Sequence, residues 1–357
     1  MKHPFPSGPA GRSRSGTVRR LVRLLLPGAL LLLAACGPQE KKAGLAIYNQ
    51  NDPFIDTFTH QIRTLSALEN FTLMDPYNGQ NSQMIQNEQI EDMMNQNPDL
   101  LIINPVDRLA VYPVIRNLKK QEIPVIFFNR EPLRQDLDLW DKAFYVGARA
   151  AQSGRLQGEL LIQLFGGDPG HLNRYDRNGD NRIQAVILKG EQGHQDAEIR
   201  TSEVVRTFEE RGFRLEILLT EVANWNQEQA FEKMEAILQN WGDRIEAVLS
   251  NNDAMAIGAI NRMKSEGWFA DSNNNGMVDP LDEKWIPVVG IDGLDEAVEY
   301  INRGYLYGTV LNDSREQARA IVELTALLLE NRPLSALSFP LEEGKYIWID
   351  YKVFHSD

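Results

Sequence analysis

Cysteine is almost missing: the 357 residues hold one, Cys36. A disulfide framework, a Cys-rich zinc site and an iron–sulfur cluster are thereby excluded. Positive charge is scarce as well. There are 37 Lys and Arg against 50 Asp and Glu, a net charge of −13. Wrapping of nucleic acid wants a basic face, so DNA and RNA are not expected as partners. No uninterrupted run approaches the roughly 20 apolar residues that a membrane span needs. No Gly/Ser linker and no low-complexity segment interrupts the chain. There is no Gly-rich phosphate loop, no Gly-x-Ser-x-Gly elbow and no nucleophile beside its own base, so the sequence does not read as an enzyme. Paired carboxylates such as Asp52 and Asp292 suggest a glycosidase only until hydroxyl recognition is considered. What remains is a 43% hydrophobic chain with enough apolar content for a large core and enough length for two domains.

Residues 1–35 carry Lys2, Arg12, Arg14, Arg19, Arg20 and Arg23 and no acid; an apolar run follows from Leu24 to Ala35, broken by Pro27 and Gly28. That order reads as a secretory signal. It ends in Leu33-Ala34-Ala35-Cys36, which resembles the lipobox of bacterial lipoproteins. Cys36 is then expected to be lipidated, with residues 36–42 as a tether and an extracytoplasmic body held at the membrane only by its lipid. Losing the six basic residues leaves 31 against 50 acids, a net charge of −19.

Short, nearly uninterrupted apolar runs recur at Leu45–Tyr48, Leu100–Ile103, Val125–Phe128, Ala185–Leu188, Ala247–Leu249 and Val288–Ile291. Such runs suit parallel strands buried on both faces. Helical spacing lies between them, as over 198–211, 227–239 and 315–331. This alternation predicts an α/β fold with parallel sheets. Polar residues gather just past the strand ends: Asp52 and Phe54, Asn129, His194, Asp196, Arg200, Trp225, Asn252 and Asp253, Asp292, and Asn312 and Asp313. Ligands of open α/β sheets bind there. Planar groups that donate and accept match sugar hydroxyls, and Phe54 and Trp225 offer rings for an apolar sugar face. Taken singly, an Asn or Asp at such a place reads first as a helix cap, and Asp253 and either Asp313 or Ser314 are expected to be caps.

Four stretches carry a more specific signal: Ile123–Pro132, Leu188–Glu198, Asn251–Ala256 and Gly308–Asp313. With them, residues 43–357 resemble the periplasmic D-galactose/D-glucose-binding proteins of ABC sugar transporters. The resemblance implies two Rossmann-like parallel-sheet lobes joined by a three-segment hinge, the type I periplasmic binding protein fold. Residues 43–148 and 314–347 then form the N-terminal lobe, and 149–313 and 348–357 the C-terminal lobe. It also implies ten sugar contacts: Asp52, Phe54, Asn129, His194, Asp196, Arg200, Trp225, Asn252, Asp292 and Asn312. D-glucose and D-galactose are the implied ligands and an ABC permease the implied partner. Service to a chemoreceptor, or capture of a pentose, remains open.

Asp176-Arg177-Asn178-Gly179-Asp180-Asn181-Arg182-Ile183-Gln184 sets oxygen side chains at positions one, three, five and nine, as in an EF-hand loop. Arg182 offers its carbonyl at position seven, and the resemblance implies Glu246 as the remote carboxylate. One structural calcium is expected over 176–184. An insertion at 265–285 departs from the family pattern. Its Asp271, Asn273, Asn275, Asp279 and Asp282, with Gly276 at position six, form a possible second calcium loop.

Overall fold

The computed structural model describes Met1 and residues 40–278, 280 and 284–355. Residues 2–39, which hold nearly all of the expected signal and Cys36, lie outside the described residues, as do Asp279 and Asp282. Residues 40–357 cluster as one compact unit, built as two lobes.

The first lobe runs through β1 (Lys41–Ile47), α1 (Pro53–Ser66), β2 (Phe71–Leu73), β3 (Tyr77–Asn78), α2 (Gln83–Asn95), β4 (Leu100–Ile103), α3 (Tyr112–Lys120), β5 (Val125–Phe128), α4 (Arg134–Leu137) and β6 (Ala143–Gly147). The second runs through α5 (Ala150–Leu164), β7 (Ile183–Lys189), α6 (Gln195–Glu210), β8 (Leu215–Val222), α7 (Gln227–Trp241), β9 (Ala247–Ser250), α8 (Asp253–Ser265), β10 (Val288–Asp292), α9 (Asp295–Asn302) and β11 (Gly308–Leu311). The chain then returns to the first lobe with α10 (Ser314–Leu329) and β12 (Tyr346–Trp348), and ends in the second with β13 (Lys352–His355).

One sheet has the order β12-β6-β5-β4-β1-β2, with β3 beside β1; the other has the order β13-β11-β10-β9-β7-β8. Among the described strands every pairing is parallel except β13 on β11. The continuous apolar strands β4 and β5 are buried at every residue, because helices cover both faces. α1 shows how a helix is fixed: Asp52 caps it, Pro53 opens it, and Phe54, Ile55, Phe58 and Ile62 go into the core. Among the described residues no helix is long and apolar enough to cross a membrane.

The chain crosses between lobes at residues 148–149, 312–313 and 349–351. Two boundaries differ from expectation. Lys41 and Lys42, assigned to the tether, pair with Phe71 and Thr72 as the start of β1. Trp348, assigned to the second lobe, pairs with Gly147 in the first sheet. The described part of the insertion is anchored by Trp268, Phe269, Val278 and Trp285, all buried in a core of the second lobe.

Candidate functional site

Loops at the carboxyl ends of both sheets bring eleven side chains to one pocket. Tyr48, Asp52, Phe54, Asn129 and Arg130 come from the first lobe; His194, Asp196, Arg200, Trp225, Asn252 and Asp292 come from the second. Nine of the ten expected contacts are there. Asn312 does not line the pocket: it lies on the second crossing, where its side-chain oxygen accepts from Gln317 at 2.6 Å. Tyr48 and Arg130 line it without having been expected. The space at its centre is about 30 Å³, room for one or two waters. That space is too small for a ligand larger than a few atoms.

The first-lobe wall is built on the cap of α1. Asp52 Oδ1 accepts from the N–H groups of Phe54 (2.9 Å) and Ile55 (3.2 Å), and its Oδ2 accepts from the Tyr48 hydroxyl. Burial raises the Asp52 pKa, against the lowering effect of these bonds. The Arg130 guanidinium lies 3.9 Å from the Tyr48 ring centre. Asn129 follows β5 at φ +61°, and its side-chain oxygen accepts from Asn104 at 3.2 Å. That leaves its amide donors for a ligand.

The second-lobe wall is organised around Arg200 on α6, 4% exposed. Its Nη1 donates to the Asn251 carbonyl at 2.6 Å and its Nη2 to the Tyr351 hydroxyl at 3.1 Å, while Nε is buried with no partner. Asp196 and Asp292 stand 3.7 and 3.8 Å from this guanidinium, too far for a direct hydrogen bond. Burial raises the pKa of Asp196 and pushes that of Asp292 well above the usual carboxylate range, with Arg200 opposing both. His194 caps α6, its Nδ1 accepting from Asp196 N–H at 3.1 Å. Burial first, then Arg130 and Arg200, hold its pKa well below the usual value. The ring is therefore neutral, with its proton on Nε2. Asn252 caps α8 and also donates to the Trp225 carbonyl at 3.2 Å. The Trp225 ring lies on Gly190, where a Cβ would come within 2.3 Å of it, and edge-on to His194 at 5.2 Å.

Two consequences follow. Asp52, His194 and Asn252 each cap a helix and line the pocket, so cap and contact are the same placement. Asn129, Trp225 and Asp292 have φ of +61°, +62° and +128°. Backbone held in such sparsely populated regions concentrates at functional sites. Asp253, expected as a cap, instead accepts from Thr309 and the N–H groups of Gly293 and Leu294. Asp313 does cap α10, through Glu316 N–H.

Among the described residues no group of three or more His, Cys, Asp or Glu is gathered as a metal cluster. The 176–184 loop closes on itself through its oxygen side chains: Asn178 Nδ2 donates to Gln184 Oε1 at 3.2 Å and Gln184 Nε2 to Asp180 Oδ2 at 2.9 Å. Asp176 accepts from Gly179 and Asn181 N–H, Asn178 from Asp180, and Asp180 from Arg182. Asn181, at position six, has φ +58°. The buried Glu246 reaches the loop, accepting from the N–H groups of Arg177 (2.6 Å) and Gln184 (3.3 Å). The donors present fit the chemistry of calcium. In the insertion, Asp271 accepts from Asn275 and Gly276 N–H.

The family model described as periplasmic binding protein domain matches residues 43–333. The D-galactose/methyl-galactoside binding periplasmic protein MglB of Haemophilus influenzae is 33% identical over 294 residues, 82% of this chain and 83% of its own length. A putative rhizopine-binding protein of Rhizobium meliloti is 29% identical over 244 residues, 67% of this chain and 68% of its own. Among solved structures, a Bacillus halodurans ABC transporter solute binding protein with bound myo-inositol is 26% identical, with TM-score 0.69, covering 88% of this chain and 94% of its own. An Actinobacillus succinogenes periplasmic solute binding protein with bound D-allose shares the fold at TM-score 0.72 and 20% identity, over 88% and 98%.

Proposed function

The chain belongs to the periplasmic binding protein family, and from that premise we propose that it captures D-glucose and D-galactose by closing its two lobes on the ring. It is a binding protein rather than an enzyme. In this reading it hands the sugar to an ABC importer, from an extracytoplasmic position held by a lipid on Cys36.

The observation that carries the sugar reading is the set around Arg200. Two buried carboxylates stand just beyond hydrogen-bond reach of their cation, and its Nε is unpartnered. Vicinal hydroxyls supply the missing bonds, since each hydroxyl both donates and accepts. Asp196 and Asp292 accept from the sugar, Nε and the neutral His194 donate to it, and Phe54 and Trp225 take its two faces. Asp52 and Asn129 reach the ring only from the other lobe, so the sugar binds the closed form better than the open one and shifts the population toward it.

Calorimetric titration of residues 37–357, freed of sugar by unfolding and refolding, tests this with D-glucose, D-galactose, D-xylose, D-ribose and myo-inositol. Tight binding of either hexose supports the reading. Binding of a pentose or the cyclitol alone would replace it with that ligand.

In the same reading Asp176, Asn178, Asp180, the Arg182 carbonyl, Gln184 and Glu246 hold one calcium, which ties the loop to the second lobe. Chelation with EDTA should lower the melting temperature by several degrees and leave sugar affinity within about three-fold. An unchanged melting temperature removes the calcium.

A further inference from the structure

Outward from the inner pocket, the mouth of the cleft encloses a second cavity of about 310 Å³. It shares Arg130 and His194 with the inner pocket, so the two spaces are neighbours across those side chains. Its size is in the range of small-molecule sites, ten times the free space inside. Both lobes build it. The loop after β4 supplies Arg108 and Leu109, the loop after β7 supplies Glu191, and the first residue of α6 supplies Gln195.

Two contacts across the cleft bound this cavity. Arg130 Nη2 pairs with Glu191 at 3.1 Å, and Gln195 Nε2 donates to Glu131 at 3.2 Å. Each uses only part of its group. Gln195 Oε1 and Arg130 Nε are buried without a partner. One is an acceptor that lacks a donor and the other a donor that lacks an acceptor. A hydroxyl answers both, whereas an anion answers only the second. The charge balance points the same way. Arg108 and Arg130 are offset by Asp107 and Glu191, and the rest of the polar lining is amide and imidazole. A phosphate or carboxylate gains no net positive field there. The exposed Leu109 adds an apolar face for a ring.

We propose that this cavity is an outer subsite for a neutral, polyhydroxylated substituent on the captured sugar, so that the protein takes disaccharides as well as free hexoses. The outer ring lies between the Leu109 loop and the start of α6 at Gln195, and its hydroxyls complete Gln195 and Arg130 as the lobes close. This rests on the sugar reading of the inner pocket.

The experiment titrates the wild-type protein and the Leu109→Trp variant with D-glucose, D-galactose, maltose, cellobiose, lactose and melibiose. Leu109 lies outside the inner pocket, and the larger ring fills the outer one. At least one disaccharide should bind the wild-type protein within 100-fold of the better hexose. Leu109→Trp should weaken that disaccharide at least ten-fold and leave the hexose within two-fold. The subsite is overturned if the hexoses bind and none of the four disaccharides does, or if Leu109→Trp spares the disaccharide or weakens hexose and disaccharide alike. Failure of the hexoses themselves defeats the inner-pocket reading and this proposal with it.

Discussion

The two lobes repeat one architecture but equip it differently. The first contributes Asp52, whose two oxygens already accept from Tyr48 and the N-terminus of α1, so its geometry is complete before any ligand arrives. The second contributes Arg200 with Asp196 and Asp292, an arrangement left incomplete. In the proposed reading the lobe that holds the Arg200 set is the seat, and the lobe that carries the pre-fixed Asp52 is the lid. In that reading the sugar settles on the second lobe first, and the first lobe then closes over it.

That contrast can be broken from the seat downward. Asp292→Ala, in the second lobe, leaves buried hydroxyls without an acceptor and Arg200 less compensated. Affinity for the preferred hexose should fall at least 100-fold, about 2.7 kcal/mol; near wild-type affinity by calorimetry would remove Asp292 from the seat. Trp225→Ala removes the stacking ring that lies on Gly190 and should cost more than ten-fold, about 1.4 kcal/mol. Phe54→Ala, the ring on the lid, should cost less than Trp225→Ala in the same assay. The reverse order would exchange the roles assigned to the lobes. Asn312, outside the pocket, should be the mildest: Asn312→Ala is expected within about three-fold, and a large loss would put it back among the contacts.

Acidity sharpens the same comparison. Burial raises Asp196 and Asp292 above the ordinary carboxylate value near 4. Sugar hydroxyls donate to the charged form, so binding favours ionisation. In the proposed reading affinity is greatest with both carboxylates ionised and is lost as pH falls through the raised values, before ordinary carboxylates protonate. Affinity that stays flat from neutrality to about pH 4.5 contradicts this account of the seat.

Much of this was legible in the sequence because burial writes itself as pattern. β4 and β5 read as unbroken apolar runs and are buried throughout. β8 escaped notice: it is an edge strand, half-buried along its length, and Leu215–Val222 mixes Glu and Thr with apolar residues. Among the site residues, Asp52, His194 and Asn252 were readable as polar groups just past the strand ends. Tyr48 was hidden because it continues the apolar run of β1. Arg130 stood beside Asn129 in a stretch already singled out, but a lone Arg after a strand gives no sign that it will lie on a tyrosine ring. The positive φ of Trp225 and Asp292 is a tertiary demand that neither residue type advertises. Lys41 and Lys42 looked like tether because exposure, not apolarity, marks the end of a strand that still pairs.

Small-angle X-ray scattering of residues 37–357, recorded free of sugar and then with saturating D-galactose or D-glucose, tests closure most directly. The radius of gyration should fall on adding the hexose and should not fall for Asp292→Ala at the same concentration. A hexose that binds by calorimetry yet leaves the scattering curve unchanged would contradict capture by closing lobes.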